Sequence, residues 1–413
     1  MAFNVHAPGR DHFRTYMILL SFFSLCLFLA FIAQIFFSLS HMSVLGTDFV
    51  AYLTGGTLIR EGDGRLIYDL PAQRFIQERF LRLSEVGGLL PFMYFPFLAG
   101  FLYVPFSSFP YLLSYQLFVG FNLIVLLIYL ITATRVFPTL PRHWLMLQLS
   151  SYAIMSSVVL GQTSLFMMLF YLLSYHFMKR RRLVISGIFY SCLVFLKIQY
   201  IVGFPFLFLL SPERKKFLSG FILSSLAMLG INVFISGFSS LISYPAFLVT
   251  TQQLQYGASI QHMMSLASAL ASVLAITNYR HGVLLLIHFL LYFGVLFVFL
   301  RRSFSIGFDQ AFVSASVFML VFAYHVWSHD YVLLLPSVMV LLHTAYSKRH
   351  GFFSLSYLFV IVFLILPWLF FSEYRYAAPI VLLVVGIWLL TISPEHFRKD
   401  LGLLQLFRVY PKM

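Results

Sequence analysis

Apolar and polar positions along this chain fall into long blocks rather than alternating at helix or strand spacing. The run from Tyr16 to Ser40 contains no Asp, Glu, Lys or Arg, and a membrane-crossing helix needs roughly 20 mainly apolar residues. Similar runs follow at about 92–110, 111–134, 143–160, 163–178, 183–196, 200–210, 217–236, 263–277, 283–300, 310–326, 331–347, 352–371 and 377–393. Short basic groups separate several of them: Lys179-Arg180-Arg181-Arg182, Arg214-Lys215-Lys216, Arg301-Arg302 and Lys348-Arg349. Basic loops stay on the cytoplasmic side. The pattern therefore predicts an all-α polytopic membrane protein, a single transmembrane domain over 1–413 with about 11–13 crossings. The N-terminus is expected in the cytoplasm, as is the tail 394–413 with Arg398, Lys399, Arg408 and Lys412.

Not every run can cross, because the parity between basic loops does not close. The short runs 183–196 and 200–210 lie between two basic loops and predict a hairpin entering from the cytoplasm. The run at 263–277 is expected to dip into the membrane or lie along it, which is tolerated where backbone lines a protein cavity. The first run is too long for the 7–15-residue apolar stretch of a signal peptide, and is read as a retained helix.

One segment breaks the apolar pattern. Residues 41–91 form the first extracytoplasmic loop, with six acids (Asp48, Glu61, Asp63, Asp69, Glu78, Glu85) and five bases (Arg60, Arg65, Arg74, Arg79, Arg82). Asp69 followed by Pro71 predicts a helix start, with a capping carboxylate and a proline in the first turn. Over Arg74–Leu83, Phe75, Ile76, Phe80 and Leu83 share a face while Arg74, Gln77, Glu78 and Arg82 lie elsewhere. That is an amphipathic interfacial helix, with Glu78 and Arg82 spaced for an i,i+4 pair. A second short helix is expected to start at Phe49 and to weaken at Gly55-Gly56.

Composition agrees with this picture and narrows the function. Of 413 residues 61% are hydrophobic and 10% charged, against about 25% charged in soluble domains; mean hydropathy is +0.92. The formal charge of +14 lies mostly in the short basic loops, so it reports orientation and no nucleic-acid partner is expected. Cys26 and Cys192 both fall in apolar runs and make neither a metal spacing nor a disulfide framework.

Phosphate-binding glycine loops, dinucleotide fingerprints and zinc helices are all missing, so chemistry has to come from scattered polar residues at the membrane surface. Asp48 lies just beyond the first run. It is either a general base able to reach a hydroxyl proton or the N-cap of the helix starting at Phe49. Lys197, in Leu196-Lys197-Ile198-Gln199, is the one cation embedded in a long apolar stretch. It either serves a phosphate, as intramembrane charges default to function, or snorkels to the interface. Gln162 follows Gly161 at the junction of two runs. His329, in Trp327-Ser328-His329-Asp330-Tyr331, stands at another junction and either meets a phosphate or sugar or belongs to an interfacial turn. No cluster has metal-ligand spacing, and neither metal nor cofactor is expected.

The order of these features resembles the GT-C superfamily of membrane glycosyltransferases, and within it glycosyltransferase family eighty-seven. The matching elements are Asp48-Phe49 with Tyr52, Tyr68-Asp69, Tyr94-x-Pro96, Gly161-Gln162, Leu196-Lys197-Ile198-Gln199 and His329-Asp330-Tyr331. Ser164 and Tyr200 depart from the family's frequent Asn and Pro. The resemblance implies a helical fold with a structured first extracytoplasmic loop. It implies a multi-pass protein of a bacterial-type plasma membrane, with a polyprenyl-phosphate sugar donor, most often mannose, and a lipid or glycan acceptor. Asp48 would be the base of an inverting transfer on the extracytoplasmic face. Tyr52, Tyr68 and Gln162 would bind substrate, and Lys197, Gln199 and His329 would hold the donor phosphate. The alternative is a polyprenyl-lipid or glycolipid flippase, since transporters also place polar groups on broken helices.

Overall fold

The computed structural model describes residues 9–37, 47–80, 88–253, 263–276, 281–347 and 377–391, and every regular element among them is helical. The helices used below are α1 (Gly9–Phe37), α2 (Thr47–Arg60), α3 (Leu70–Phe80), α4 (Tyr111–Val136), α5 (Tyr152–Leu160), α6 (Ser164–Lys179), α7 (Leu183–Leu196), α8 (Phe204–Leu210), α9 (Arg214–Ser236), α10 (Phe238–Gln253), α11 (Leu266–Val273), α12 (Gly282–Arg302), α13 (Phe308–Phe322), α14 (Leu335–Ser347) and α15 (Ala377–Thr391).

Among the described residues, four helical stretches are long and apolar enough to cross a membrane: Thr15–Phe37 within α1, then α4, α9 and α12. The segment Arg142–Ser150 with α5, bent by 59°, is either a broken span, which makes it a fifth, or a re-entrant loop. Outward side chains on these stretches are large and apolar, as on Phe22, Ile124, Leu223 and Leu290. The chain is an all-helical polytopic membrane protein. The 11–13 crossings expected from the apolar runs are not met by helices of full spanning length among the described residues; α7, α13 and Ile198–Leu210 are shorter apolar helices. The run 92–110 makes no continuous helix. Pro96–Leu98, a five-residue π-turn at Ala99–Tyr103 and a series of turns replace it, because Pro91, Pro96, Pro105 and Pro110 interrupt the backbone ladder. The run 352–371 and the tail 394–413 lie outside the described residues.

Small residues fix the packing of α7 on α9. A Cβ at Gly187 would stand 2.2 Å from the Phe217 carbonyl oxygen, and one at Gly220 would stand 2.0 Å from that of Val184. Further along, the Ser191 and Ser225 hydroxyls pair at 2.9 Å. A Cβ at Gly187 would also stand 2.8 Å from Phe221 N, so contacts 184–220, 187–221 and 191–225 advance together and the two helices run parallel, beginning at the same end. The chain between them must double back, and it does so through the 3-10 segment Ile198–Gly203 and α8. This is the expected hairpin. Lys197 sits at its turn in extended conformation, ending α7. The run 263–277 holds only the eight-residue α11, too short to cross.

Two other contacts orient the remaining helices. α6 and α13 are antiparallel, since Tyr171 meets Ser316 at 2.6 Å while Tyr175 and Lys179 meet Asp309, each at 2.9 Å. At one end of α9, Arg214 packs over the rings of Phe208 and Phe304. At its other end lies the first loop: the Asn232 side chain accepts from Phe97 N–H at 2.7 Å, and Gly64 abuts Ile235. At about 1.5 Å per residue, the 23 residues of α9 put the loop roughly 35 Å from the basic group at 214–216.

The first loop is helical but differs from its expected form in three ways. α2 starts at Thr47 and runs through Gly55-Gly56 to Arg60. Gly56 is there for proximity, since a Cβ would come within 2.8 Å of the Tyr103 backbone. Asp69 does cap α3, accepting from Ala72 N–H at 2.7 Å. However, α3 buries Gln73, Ile76 and Gln77 and leaves Phe75 65% exposed. The two glutamines bind backbone on both sides of α3: Gln73 serves Ile67 before it and Phe92 on the returning chain, and Gln77 serves Leu90 there from both ends of its amide. That backbone has no helix or sheet ladder of its own, and buried peptide groups require partners. Arg82 lies outside the described residues; among them Glu61 pairs with Arg79 at 2.9 Å and with Arg60 at 3.1 Å.

Candidate active site

Asp48 occupies the first turn of α2, and the position of that turn is set by its neighbour. The Phe49 ring is fully buried among Tyr103, Tyr111, Tyr115 and Phe118. It presses on Gly161, which ends α5 with a φ of +69° and whose Cβ would fall 2.5 Å from that of Phe49. Only glycine satisfies both the left-handed backbone and the close approach. Gly161 then turns the next side chain back on Asp48. Gln162 Nε2 donates to Asp48 Oδ2, and the Tyr52 hydroxyl donates to Gln162 Oε1 at 2.9 Å. The Tyr52 ring is clamped between Tyr94 and Tyr103, with centroids 4.6 and 4.7 Å away. Asp48 is thus an aimed carboxylate within the helix, not the helix's N-cap. It accepts no other hydrogen bond among the described residues.

A second cluster forms at the hairpin turn. Lys197 is 3% exposed, so it does not snorkel. Its ammonium donates to Asp330 Oδ1 at 2.6 Å and to His329 Nε2 at 2.9 Å. Asp330 is fully buried and anchored by its other oxygen, which accepts from Trp327 N–H at 3.0 Å. Since Nε2 of His329 is the acceptor, the proton of the neutral ring is on Nδ1. Nδ1 is buried and has no hydrogen-bond partner among the described residues.

α5 ties the two clusters together: Ser157 carbonyl accepts from Gln162 N–H at 2.9 Å, and Ser157 Oγ donates to the His329 carbonyl at 3.4 Å. They also interact through their charges. Burial raises the Asp48 carboxyl above its usual value, the Gln162 hydrogen bond and the Lys197 charge pull it back, and Asp330 adds to the rise. His329 is pushed down to about 3 by burial and by the Lys197 charge, against the pull of Asp330. At Asp330 burial works against ionisation, but Lys197 and His329 hold the carboxyl below the usual range. Opposite charges nearby favour the charged form and desolvation disfavours it.

Of the expected site residues, Asp48, Tyr52 and Gln162 form one hydrogen-bonded chain, and Lys197 and His329 form the other cluster. Gln199 reaches its edge only through backbone, donating to the His325 carbonyl at 2.8 Å. Tyr68 stands one layer back. Its hydroxyl donates to the Tyr94 carbonyl at 2.8 Å while its ring lies against Tyr244 and Phe247. Sequence reasoning missed Asp330 as the partner of Lys197. The signal was available, because a buried ammonium needs a counter-ion and the adjoining His-Asp element carried one. Of the aromatic clamp, Tyr94 belonged to the Tyr94-x-Pro96 element, but Tyr103 had no such signal, since a tyrosine in an apolar run is ordinary packing. No group of three or more potential metal ligands occurs among the described residues.

A family model described as glycosyltransferase family 87 matches residues 92–326, more than half of the chain. Neither the curated proteins nor the solved structures returned a match. The matched stretch contains Gln162, Lys197 and Gln199; Asp48 precedes it and His329 follows it, and folding brings both to residues within it. The chain is a membrane glycosyltransferase and belongs to glycosyltransferase family 87.

Proposed function

We propose that the protein transfers a sugar, mannose first among candidates, from a polyprenyl phosphate to a lipid or glycan acceptor on the extracytoplasmic face of a bacterial-type plasma membrane. The observation that carries the reading is the joining, at one end of the helix bundle, of an aimed, partly buried carboxylate with a buried Lys197–His329 cluster whose remaining N–H donor has no partner among the described residues. Asp48 takes the proton of the acceptor hydroxyl as that oxygen forms its bond to the anomeric carbon. The anomeric carbon–phosphate oxygen bond breaks, and its electron pair leaves on the polyprenyl phosphate. Attack from the face opposite the leaving group inverts the anomeric centre. Charge grows on the leaving phosphate as its ester bond breaks, and preorganised donors aimed at developing charge lower the barrier. Lys197 and the His329 Nδ1–H are those donors. Gln162 and Tyr52 orient the base, Tyr68 supports Tyr94 beside them, and Gln199 fixes the backbone at His325.

The choice of face rests on α9. The basic groups lie at its far end from the site, and basic groups stay cytoplasmic. A polyprenyl-linked donor is available at the opposite surface, where a cytoplasmic nucleotide sugar is not. The test is the purified protein in nanodiscs, given radiolabelled polyprenyl-phosphate mannose, a nucleotide-linked mannose, and a membrane lipid extract as acceptor. Glycosidic product from the polyprenyl donor alone is expected. Product from the nucleotide donor would overturn the donor class, and movement of the lipid donor across the membrane of sealed proteoliposomes without product would make the protein a flippase.

A further inference from the structure

The Lys197 cluster as it stands carries no net charge. The ammonium is matched by Asp330 at 2.6 Å, and the imidazole beside it is neutral because its Nε2 accepts from that same ammonium. Asp48 adds one further negative charge. Such a cluster is an unexpected trap for an anion, because the one cation is already committed to a buried carboxylate. Nor is Asp330 free to swing away: Trp327 N–H holds its second oxygen on the 3-10 turn Ser328–Leu334. Lys197, by contrast, has a long flexible stem at a hairpin turn, and its ammonium carries a third N–H. A ligand is nevertheless indicated at this place, since Nδ1 of His329, on a side chain 3% exposed, is left without a partner among the described residues.

We propose that Asp330 is a built-in competitor of the phosphate for Lys197, and that it serves to release the phosphate product rather than to grip the donor. The inference rests on the phosphate-binding reading of this cluster. The donor is a phosphodiester with one negative charge. The product is a monoester approaching two, as its second ionisation lies near pH 6. A fully uncompensated lysine would bind the product more tightly than the donor, and turnover would stall on release. A fixed carboxylate on the same ammonium lowers the affinity for both and repels the dianion more. Interactions between charges in a desolvated site are large enough for this purpose, and product release limits many enzymes. His329 is kept by the same arrangement in the tautomer that presents Nδ1–H to the phosphate.

The experiment measures binding of a polyprenyl phosphate monoester to the full-length protein in detergent, for wild type, Asp330→Asn and the Lys197→Met/Asp330→Leu double variant. The last replaces the pair by apolar side chains, a change that buried ion pairs often tolerate. Asp330→Asn is expected to bind the monoester roughly tenfold or more tightly while kcat falls and the donor KM falls with it. The double variant is expected to lose binding. A merely structural Asp330 would weaken binding, or leave it unchanged, and either result overturns the proposal. If none of the three binds the monoester, or if the double variant binds it as wild type does, it is the phosphate-binding reading itself that fails. Should Asp330→Asn not fold, wild type selectively labelled with 15N-histidine supplies the second measurement. Its His329 spectrum should show the Nδ1–H tautomer before ligand and a downfield Nδ1–H shift on adding the monoester. An Nε2–H tautomer, or an unshifted signal with ligand bound, contradicts it.

Discussion

Asp48 is held by a single side-chain amide and by the helix turn beneath it, and both can be tested one residue at a time. A base acts only when deprotonated, and burial raises the Asp48 carboxyl. Activity is therefore expected to fall as pH drops through a value above the roughly 4 of a free aspartate, and an acidic limb at or below that value would count against Asp48 as the base. The Gln162 hydrogen bond lowers the same carboxyl. Gln162→Ala should accordingly move the acidic limb of kcat/KM to still higher pH, whereas a purely structural glutamine would lower activity without moving the limb. Gly161→Ala tests the close packing beside it. A side chain at φ +69° facing Phe49 at 2.5 Å should cost about 1–3 kcal/mol of stability, read as a lowered melting temperature together with lost activity.

At the scale of elements, the sequence showed which segments matter better than it showed how they fold. The hairpin around Lys197 was legible because two apolar runs too short to cross lay between two basic loops. The Asp69 cap was legible from a local rule. The burial of α3 was not: its face of Gln73, Ile76 and Gln77 reads as polar, and only the returning backbone at 90–92 shows what those amides bind. Nor was the continuity of α2, since Gly55-Gly56 weakens an isolated helix and strengthens this one by admitting Tyr103. Gln73→Leu should consequently destabilise the loop, because it leaves the Phe92 N–H and the Ile67 carbonyl unpaired at about 1–3 kcal/mol for each buried group. Hydrogen exchange over 88–95 reads this directly, and unchanged protection there would contradict the role given to the glutamine.

Across the whole molecule, four chain segments far apart in sequence deliver Asp48, Gln162, Lys197 and His329 to one end. Their order could be read in advance. The resemblance implied their meeting, but the directions that produce it, α7 parallel to α9 and α6 antiparallel to α13, could not be read. The same arrangement predicts sidedness. In a background lacking Cys26 and Cys192, Arg74→Cys should react with a membrane-impermeant maleimide on intact cells, and Lys215→Cys only after permeabilisation. Labelling of both from the same side would remove the case for an extracytoplasmic site.

The most direct measurement of the central claim compares sugar transfer from polyprenyl-phosphate mannose by wild type and Asp48→Asn, with melting temperature and polyprenyl-phosphate affinity measured on the same preparations. A positioned base contributes roughly 10²–10⁴-fold. The account predicts a loss of transfer in that range with the fold and the phosphate affinity retained. Transfer at the wild-type rate by Asp48→Asn would contradict it.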